Sequence, residues 1–333
     1  MPRPRCCRRE RQPGGLHDMR DRVELAYMGD GERVDRFLAA QLPDVSRSQV
    51  QRWIEEGLVT VNGAETKASR QLAPGDVVRA ESREEALPRL EPVQMDLEIV
   101  HEDEDCAVIC KPAGLVVHPA AGHRQDTLVN GLLARYPQMA DMADSATRRG
   151  RRPGIVHRLD KDTSGLVVVA MHEVARRELQ RQFRRRSVEK AYLALVHGRL
   201  AEAQGRIVGP IGRDPRNRKR MAVVSSGRRA VTEYAVQSYL YTPRGIRLWY
   251  SLVEVHLVTG RTHQIRVHFA HLGHAVVGDR TYGRRREHIA CPRQFLHAHQ
   301  LGFHHPRDAR WMSFESALPP DLEQVLSQLE AVV

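Results

Sequence analysis

The segment GIVHRLDKDTSGLVVVA, residues 154–170, carries the clearest fold signal in the chain. Two apolar runs, GIV and LVVVA, flank the polar stretch HRLDKDTSG at 157–165. Short apolar runs bounded by polar and turn residues are typical of buried strands. The segment therefore predicts a charged loop held between two buried strands, which is a common way for a rigid sheet to present functional side chains.

Two carboxylates lie on this loop, Asp160 and Asp162. Asp162 is followed by Thr163, and this pair is typical of a turn, so we assign Asp162 a role in shaping the loop. Asp160 lies between apolar Leu159 and basic Lys161. This setting makes Asp160 the candidate catalytic residue.

A second polar segment, TGRTHQIRVH at 259–268, contains Arg261 and Arg266. A partly buried arginine needs a carboxylate partner, because an unpaired buried charge is costly. We expect Asp160 to be that partner. A third candidate, Tyr192, stands in the otherwise apolar run KAYLAL, and from the residues alone it is a core tyrosine with a satisfied hydroxyl group.

Strand patterns dominate residues 96–333, which we expect to form one large domain. The short apolar runs are LEIV, CAVICK and GLVVHP, and three longer segments alternate in the manner of an antiparallel or mixed sheet: VEKAYLALVHG, RAVTEYAVQSYL and IRLWYSLVEVHLV. Helical patterns occur in TLVNGLLARYP, HEVARRELQRQFRRR, GRTHQIRVHFAHLG and PPDLEQVLSQLEAV. The predicted fold is α+β, with a large, mixed, mostly antiparallel sheet flanked by helices.

A smaller α/β module is predicted over residues 21–81. Two short helical patterns precede a strand that enters an Asn62-Gly63 turn, and LAPGDVVRA returns as another strand. The module has a basic side, which we interpret as an RNA contact, formed by Arg47, Arg52, Lys67 and Arg70. We expect residues 1–20 to be a disordered basic tail and residues 82–95 to be a linker.

The composition favours a polyanionic partner. Lys and Arg number 52 against 41 Asp and Glu, and the formal net charge is +11. No stretch approaches the ~20 apolar residues of a membrane helix, and the first residues lack the apolar core of a signal peptide. Five cysteines show no disulfide pattern, so a reduced, cytoplasmic protein is expected.

Closely spaced histidines raise a metal hypothesis, among them His263, His268, His271 and His274. No HExxH motif and no paired CxxC accompanies them, so we expect no metal site. No GxGxxG, P-loop or kinase signature is present, so no nucleotide cofactor is expected either.

Four motifs occur in order along this region: KPAGLVVHP at 111–119, HRLDKDTSG at 157–165, GRTHQIRVH at 260–268 and VVGDRTYG at 276–283. Together they resemble the RluA-type pseudouridine synthases from about residue 96 to residue 333. The first module resembles the RNA-binding domain of the ribosomal protein S-four type, the alpha-L motif. The resemblance implies the pseudouridine synthase fold and the isomerisation of uridine to pseudouridine in structured RNA without any cofactor.

The resemblance also implies a substrate and its partners. The arrangement of both parts is similar to family members that modify large-subunit (23S) rRNA, so we expect an rRNA substrate, no DNA and, by default, a monomer. Basic segments at 148–152, 212–220 and 284–286 are candidates for phosphate contacts. Residues 141–153 look longer and more basic, and the segment between Tyr282 and His297 shorter, than the family pattern suggests.

Roles for single residues follow from the resemblance. Asp160 matches the essential aspartate of the family. The substrate-binding candidates are Arg158, matching the residue that fills the gap left by the flipped uridine, and Tyr192, matching the tyrosine that stacks on the target base. Arg266 matches the arginine that pairs with the catalytic carboxylate, and Arg261 is a neighbouring candidate. For Tyr192, the resemblance overrides the interpretation as a core residue.

Two other function classes stay open at this stage. A pure binding module, such as a ribosome-assembly factor, is suggested by the first module and the net charge. A metal-dependent hydrolase is suggested by the histidines. Within the enzyme hypothesis, the carboxylate could form a covalent sugar adduct or could generate a glycal intermediate.

Overall fold

The computed structural model describes residues 22–42, 45, 47–81, 90–119, 122–123, 125–142, 152–283 and 288–332, without the side chain of residue 48. The expected tail at 1–20 lies outside these ranges, as do residues 82–89 of the expected linker and the arginines at 284–286. Of the basic segment at 148–152, only Arg152 is described. The chain divides into two compact units between residues 89 and 90.

The first unit has two helices and a four-stranded antiparallel sheet of order β1-β4-β2-β3. Asn62 and Gly63 both have positive φ and join β2 to β3, as their sequence predicts. Strand β1 is an element that the sequence pattern did not predict. The elements are β1 (Arg22–Ala26), α1 (Val34–Gln41), α2 (Arg47–Glu55), β2 (Val59–Val61), β3 (Ala64–Glu65) and β4 (Val77–Glu81).

The second unit carries the remaining elements. Its helices are α3 (Leu128–Arg135), a 3₁₀ segment (Pro137–Met142), α4 (Glu173–Arg185), α5 (Gln264–His271) and α6 (Pro320–Leu326). Its strands are β5 (Glu98–Glu102), β6 (Cys106–Lys111), β7 (Ser164–Ala170), β8 (Glu189–His197), β9 (Gln204–Val208), β10 (Ile211–Arg213), β11 (Met221–Val223), β12 (Val231–Tyr241), β13 (Trp249–Leu257), β14 (Leu296–His304), β15 (Trp311–Glu315) and β16 (Glu330–Ala331). None of the described helices is long and apolar enough to cross a membrane.

Ten of these strands form one large sheet. Its path is β16-β12-β13-β8-β14-β7-β6-β5, with β15 paired to β14 and β9 paired to β12. Among the described strands, the pairing of β14 with β7 is parallel and the other pairings are antiparallel. The prediction of an α+β fold with a mixed, mostly antiparallel sheet is confirmed.

Strand β7 is buried along its whole length. Val167 and Val169 belong to a core cluster that includes residues of α3, α5 and α6, whereas Leu166 and Val168 belong to a cluster that includes residues of α4. Burial on both faces explains why LVVVA is continuously apolar rather than alternating.

The parallel pairing brings three distant parts of the chain together. Gly165 of β7 faces Ala298 of β14, and Ala298 in turn faces Tyr192 of β8. A Cβ atom on Gly165 would lie 2.2 Å from the carbonyl oxygen of Ala298, so the close approach of these backbones requires glycine. The end of the 157–165 loop therefore lies two strands away from Tyr192.

Two predicted strands are absent. GLVVHP forms no strand and makes a single bridge between Val116 and Thr127, and GIV makes a single bridge between Ile155 and Val169. Glycine precedes each apolar run with positive φ, at Gly114 and Gly154, and the chain turns there instead of extending. The 157–165 loop is thus held by a buried irregular segment on one side and by β7 on the other: the predicted strand LVVVA is confirmed, and the predicted strand GIV is wrong.

A buried carboxylate organises the first unit. The side chain of Asp35 is fully buried and accepts hydrogen bonds from Arg33 at 3.0 Å, from Arg47 at 2.9 Å and from Gln51 at 2.7 Å. Burial alone would raise the pKa of Asp35, but these hydrogen bonds outweigh it and lower the pKa to about 2. Arg47, one of the predicted RNA contacts, thus joins α2 to α1.

We predict that the stability of the first unit depends on pH through Asp35. Because its folded-state pKa lies below the ordinary value, ionised Asp35 contributes stability that is fully present above about pH 5 and is lost as the pH falls toward 2. Hydrogen exchange of residues 59–81, measured at increasing urea concentrations, gives the urea concentration at the unfolding midpoint. In the parent protein this midpoint should fall as the pH is lowered. In Asp35→Asn the midpoint should be lower at pH 5 and should fall less steeply below it, because Asp76, whose pKa is also lowered by its hydrogen bonds, still contributes. A parallel pH slope in both proteins would contradict the assignment.

Candidate active site

The 157–165 loop is fixed at its start by His157. The Nε2 atom of His157 accepts a hydrogen bond from the backbone N–H of Val168 at 3.0 Å, and its ring stacks on Phe183. Burial, with a smaller contribution from Lys190, lowers the pKa of His157 to about 3. The ring is therefore a neutral acceptor that joins the loop to β7.

Two buried cations hold the middle of the loop through consecutive carbonyl groups. Lys111 Nζ donates to the carbonyl oxygen of Lys161 at 3.0 Å, and Arg293 Nη1 donates to that of Asp162 at 3.1 Å. Lys111 also donates to the carbonyl oxygens of Pro112 and Leu115, at 2.7 and 2.9 Å. Three acceptors for three ammonium protons make Lys111 a link between the KPAGLVVHP segment and the loop.

The buried ammonium group of Lys111 has a lowered pKa. Lys111 is fully buried, and burial together with the nearby charge of Arg293 lowers its pKa to about 7. The charge is partly supported by the carbonyl dipoles and by the carboxylates of Asp160 and Asp162. The loop conformation and the charge of this lysine are therefore linked.

A buried arginine lies between two carboxylates beside the loop. Arg266 Nη1 donates to Asp160 Oδ2 at 2.8 Å. Its other two nitrogens grip Asp279, with Nε at 2.7 Å from Oδ2 and Nη2 at 2.9 Å from Oδ1. The side chain of Asp279 is fully buried, whereas that of Asp160 retains 17% of its exposure. The carboxylate of Asp279 is therefore closed off from solvent, whereas that of Asp160 is partly accessible.

The charges of this array support one another. Burial alone would lower the pKa of Arg266, but the two carboxylates raise it well above its usual value. Burial alone would raise the pKa of Asp279, but its hydrogen bonds and the charge of Arg266 lower it. The backbone N–H groups of Thr281 and Tyr282 also donate to Asp279 Oδ1, at 2.8 and 3.0 Å. Arg266 therefore stays charged and keeps one fixed orientation.

Asp160 faces a cleft of about 610 Å³ within the second unit. This volume is in the range of small-molecule sites, ~300–1,000 Å³. Among the described residues that line the cleft, Asp160 is the only carboxylate, and the basic residues are Arg158, Arg184, Arg186, Lys190, Arg228, Arg261 and Arg266. The cleft is suited to an anionic ligand that approaches one carboxylate.

The structure places each predicted site residue on this cleft. Tyr192 lines it and is buried, while Arg158 lines it and is exposed. Burial, with a smaller effect of the Asp160 charge, raises the pKa of Tyr192, so the phenol stays neutral. Arg261 also lines the cleft, but it donates to the carbonyl oxygen of Arg229 at 3.1 Å instead of contacting Asp160. The structure thus brings Asp160 and Arg266 into contact, whereas Arg261 lines the cleft without contacting Asp160.

Three residues that support the site were not predicted from the sequence. Asp279 lies in the motif VVGDRTYG, and the signal that could have identified it is that a buried arginine is better compensated by two carboxylates than by one. Lys111 lies in the motif KPAGLVVHP. The sequence signal that could have identified it is a lysine at the end of an apolar strand. Arg293 carries no sequence signal for its role, because its partners on the loop, Asp162 and Ser164, lie about 130 residues away along the chain.

Two of the histidines of the metal hypothesis, His268 and His274, make hydrogen bonds to other parts of the chain. His268 uses both ring nitrogens, one on Thr232 Oγ1 and one on the carbonyl oxygen of Gly209. Two other groups among the described residues have metal-ligand geometry, namely His101, Asp103 and Cys106, and Asp103, Asp105 and His305. None of these residues lines the cleft, and their polar atoms already make hydrogen bonds and ion pairs with one another.

Comparison with known protein families gives two matches. A family model described as RNA pseudouridylate synthase matches residues 105–271, which include Asp160, Tyr192 and Arg266. A model described as the S4 domain matches residues 32–78 in the first unit.

Similar proteins cover nearly the whole chain. A protein of Chloroflexus aurantiacus named as an uncharacterized RNA pseudouridine synthase is 52% identical over 90% of this chain and 90% of its own length. The ribosomal large subunit pseudouridine synthase D of Pseudomonas aeruginosa is 41% identical over 94% of this chain and 97% of its own length. The solved structure of human RNA pseudouridylate synthase domain containing 1 has a TM-score of 0.55 and 30% identity, covering 73% of this chain and 91% of that chain.

We predict that Asp279→Asn destabilises the second unit. The substitution keeps the side-chain size but removes a charge that compensates buried Arg266, so the free energy of unfolding should fall by about 3 kcal/mol. Urea denaturation followed by circular dichroism measures this loss. Glu233→Gln is the matched control, because its ion pair with Arg206 is exposed and should contribute less than ~1 kcal/mol. Equal losses in the two variants would argue against the proposed support of Arg266.

Proposed function

The chain belongs to the RNA pseudouridylate synthase family, and from this premise we propose that Asp160 is the residue that acts on the target nucleotide. The reaction is the isomerisation of uridine to pseudouridine in RNA. The observation that carries the assignment to Asp160 is its position: it is a partly exposed carboxylate, held by a buried arginine, at the wall of a basic cleft.

The chemistry requires one bond to break and another to form at the same sugar carbon. The bond from C1′ to N1 of uracil breaks, the base turns, and C5 bonds to C1′. The C5 proton then leaves and N1 gains a proton, so the atoms balance without an external reactant. A carboxylate can assist by bonding to C1′, as glycosidase nucleophiles do, or by removing the C2′ proton to give a glycal. Both routes need Asp160 close to the ribose.

The array around Arg266 supports either route. Arg266 Nη1 binds Asp160 Oδ2 at 2.8 Å, and this contact leaves Oδ1 free of that guanidinium. Fixing the carboxylate before the substrate arrives lowers the entropic cost of aligning it with the sugar. A closed, water-poor cleft would also keep the detached uracil in place and suppress hydrolysis of the intermediate.

Tyr192 and Arg158 are assigned to the everted nucleotide. Removing a base from its stack costs a few kcal/mol. Stacking on the buried ring of Tyr192 would return ~1–3 kcal/mol. The exposed guanidinium of Arg158, two residues before Asp160 on the same loop, would fill the vacancy in the RNA and offset more of the cost.

We propose large-subunit rRNA as the substrate. Support comes from the relatives named for the ribosomal large subunit, which match more than nine-tenths of this chain. The S4 domain match in the first unit and the exposed basic residues Arg213, Arg216, Arg218 and Lys219 of the second unit are suited to phosphate contacts. The expectations of a monomer and of a cytoplasmic location belong to the same proposal.

We predict that Asp160→Asn removes the activity while RNA binding survives. The amide keeps the size of the side chain but cannot act as nucleophile or base, so the single-turnover rate constant should fall by roughly 10⁴-fold. Formation of pseudouridine in a transcribed rRNA fragment, measured by mass spectrometry, gives the rate.

The matched control is Asp162→Asn, which changes the other carboxylate of the same loop. Its rate should fall less than about tenfold, because the hydrogen bond of Asp162 to Arg293 uses the backbone carbonyl and the carboxylate acts on Lys111 only through its charge. Equilibrium dissociation constants for the RNA should be similar in all three proteins. Parent-like activity of Asp160→Asn would overturn the proposed role.

A second prediction concerns the substrate. In a strain that lacks the gene, particular pseudouridines of the large-subunit rRNA should be missing, and the parent gene should restore them. The Asp160→Asn gene should not restore them. If the large-subunit pattern is unchanged while another RNA loses pseudouridine, the family assignment holds and the proposed substrate is wrong.

A further inference from the structure

His263 occupies a strained position next to the catalytic carboxylate proposed above. It precedes α5 with φ 57° and ψ 24°, in the left-handed region that side chains other than glycine rarely adopt. Its Nδ1 atom lies 2.8 Å from the hydroxyl oxygen of Tyr282, and its Nε2 atom lies 3.8 Å from Asp160 Oδ1. Strain of this kind is concentrated at functional sites.

The contact with Tyr282 selects one tautomer of the ring. The hydroxyl oxygen of Tyr282 already accepts the backbone N–H of Met221 at 2.9 Å. Among the described residues, the acceptor in reach of the hydroxyl proton is Nδ1 of His263. Nδ1 is therefore the acceptor and Nε2 carries the proton of the neutral ring. Burial, more than any nearby charge, lowers the pKa of His263 and favours this neutral form.

The Nε2–H group of His263 makes no hydrogen bond to the residues that the structure describes. The distance of 3.8 Å to Asp160 Oδ1 exceeds the 3.5 Å limit for a hydrogen bond, and His263 lines the same cleft as Asp160 and Tyr192. The side chain of His263 retains 25% of its exposure. A donor fixed beside the reacting carboxylate is in the right place to bind an oxygen atom of the base.

We propose that His263 is a further catalytic residue, whose Nε2–H donates a hydrogen bond to a uracil carbonyl oxygen during cleavage. When the C1′–N1 bond breaks, its electron pair leaves with the base, and the negative charge spreads over N1 and the two carbonyl oxygens. A preorganised donor stabilises that charge more than it stabilises neutral uridine, which lowers the barrier. His263 keeps its proton throughout, so the overall proton balance of the reaction is unchanged.

This inference rests on the proposed role of Asp160 but adds a separate demand. A purely structural His263 would need its Nδ1 contact with Tyr282 and would not need Nε2–H. A catalytic His263 needs the Nε2 donor as well. The two roles can therefore be separated by side chains that keep one nitrogen position and lose the other.

His263→Asn and His263→Gln form the discriminating pair. Asparagine reaches the position of Nδ1, tolerates the left-handed conformation and has no group at Nε2. Glutamine carries an amide N–H close to the position of Nε2. We expect the single-turnover rate constant of His263→Asn to fall roughly 100-fold, and that of His263→Gln to stay within about tenfold of the parent. The dissociation constant for the rRNA fragment should change less than about threefold in both.

The outcomes distinguish this inference from the proposed function. A parent-like rate in His263→Asn, equal losses in the two variants, or a loss that appears in RNA affinity instead of in the rate constant would each overturn the role of His263. If Asp160→Asn is inactive in the same assay, the proposed function stands whatever His263 does. If Asp160→Asn is active, the proposed role of Asp160 is wrong, and the inference about His263, which rests on it, is wrong as well. Circular dichroism and thermal midpoints, measured for both His263 variants, identify any loss that comes from misfolding.

Discussion

A single buried guanidinium group, that of Arg266, determines how the site is built. An uncompensated charge in the interior is costly, so Arg266 must keep a carboxylate partner at all times. Asp279 fulfils this requirement from a fully buried position through two of the guanidinium nitrogens. The third nitrogen is then available to orient Asp160. Because Asp279 already compensates the charge, Asp160 can change its bonding during a reaction without leaving Arg266 unpaired.

The sheet topology explains how these residues come together. The described sheet contains one parallel pairing, between β14 and β7, and it aligns the end of the 157–165 loop with Ala298 and, one strand further, with Tyr192. Helix α5 then supplies Arg266, which contacts Asp160 at 2.8 Å. At Gly278, a Cβ atom would lie 2.1 Å from the carbonyl oxygen of Arg293, so the turn that carries Asp279 packs directly against the segment leading into β14.

Most elements of the fold could be predicted from the sequence, but only some of the contacts in the candidate site could. Alternation in β8, β12 and β13 and the helical periodicity of α3, α4 and α6 were sufficient to predict those elements, because local spacing encodes them. GIV and GLVVHP were wrongly predicted as strands, since burial makes an irregular segment as apolar as a strand. The rule that a buried charge needs a partner pointed to Asp160 as the partner of an arginine in the 259–268 segment, and the resemblance to the family identified that arginine as Arg266. The contributions of Lys111 and Arg293 depend on carbonyl groups, which no side-chain pattern reveals.

These carbonyl contacts have a consequence for recognition. Lys111 has no carboxylate within hydrogen-bonding distance among the described residues, and its ammonium group is satisfied by carbonyl oxygens of the loop and of the 112–115 turn. If the loop moved, buried Lys111 would lose the carbonyl oxygen of Lys161, which is one of its three acceptors, and a buried polar group that loses a partner is destabilising. The contacts of Lys111 and Arg293 therefore favour a loop that keeps its conformation. If Asp160 acts on a uridine as proposed, a fixed loop favours a conformational change in the RNA, aided by exposed side chains such as Arg158.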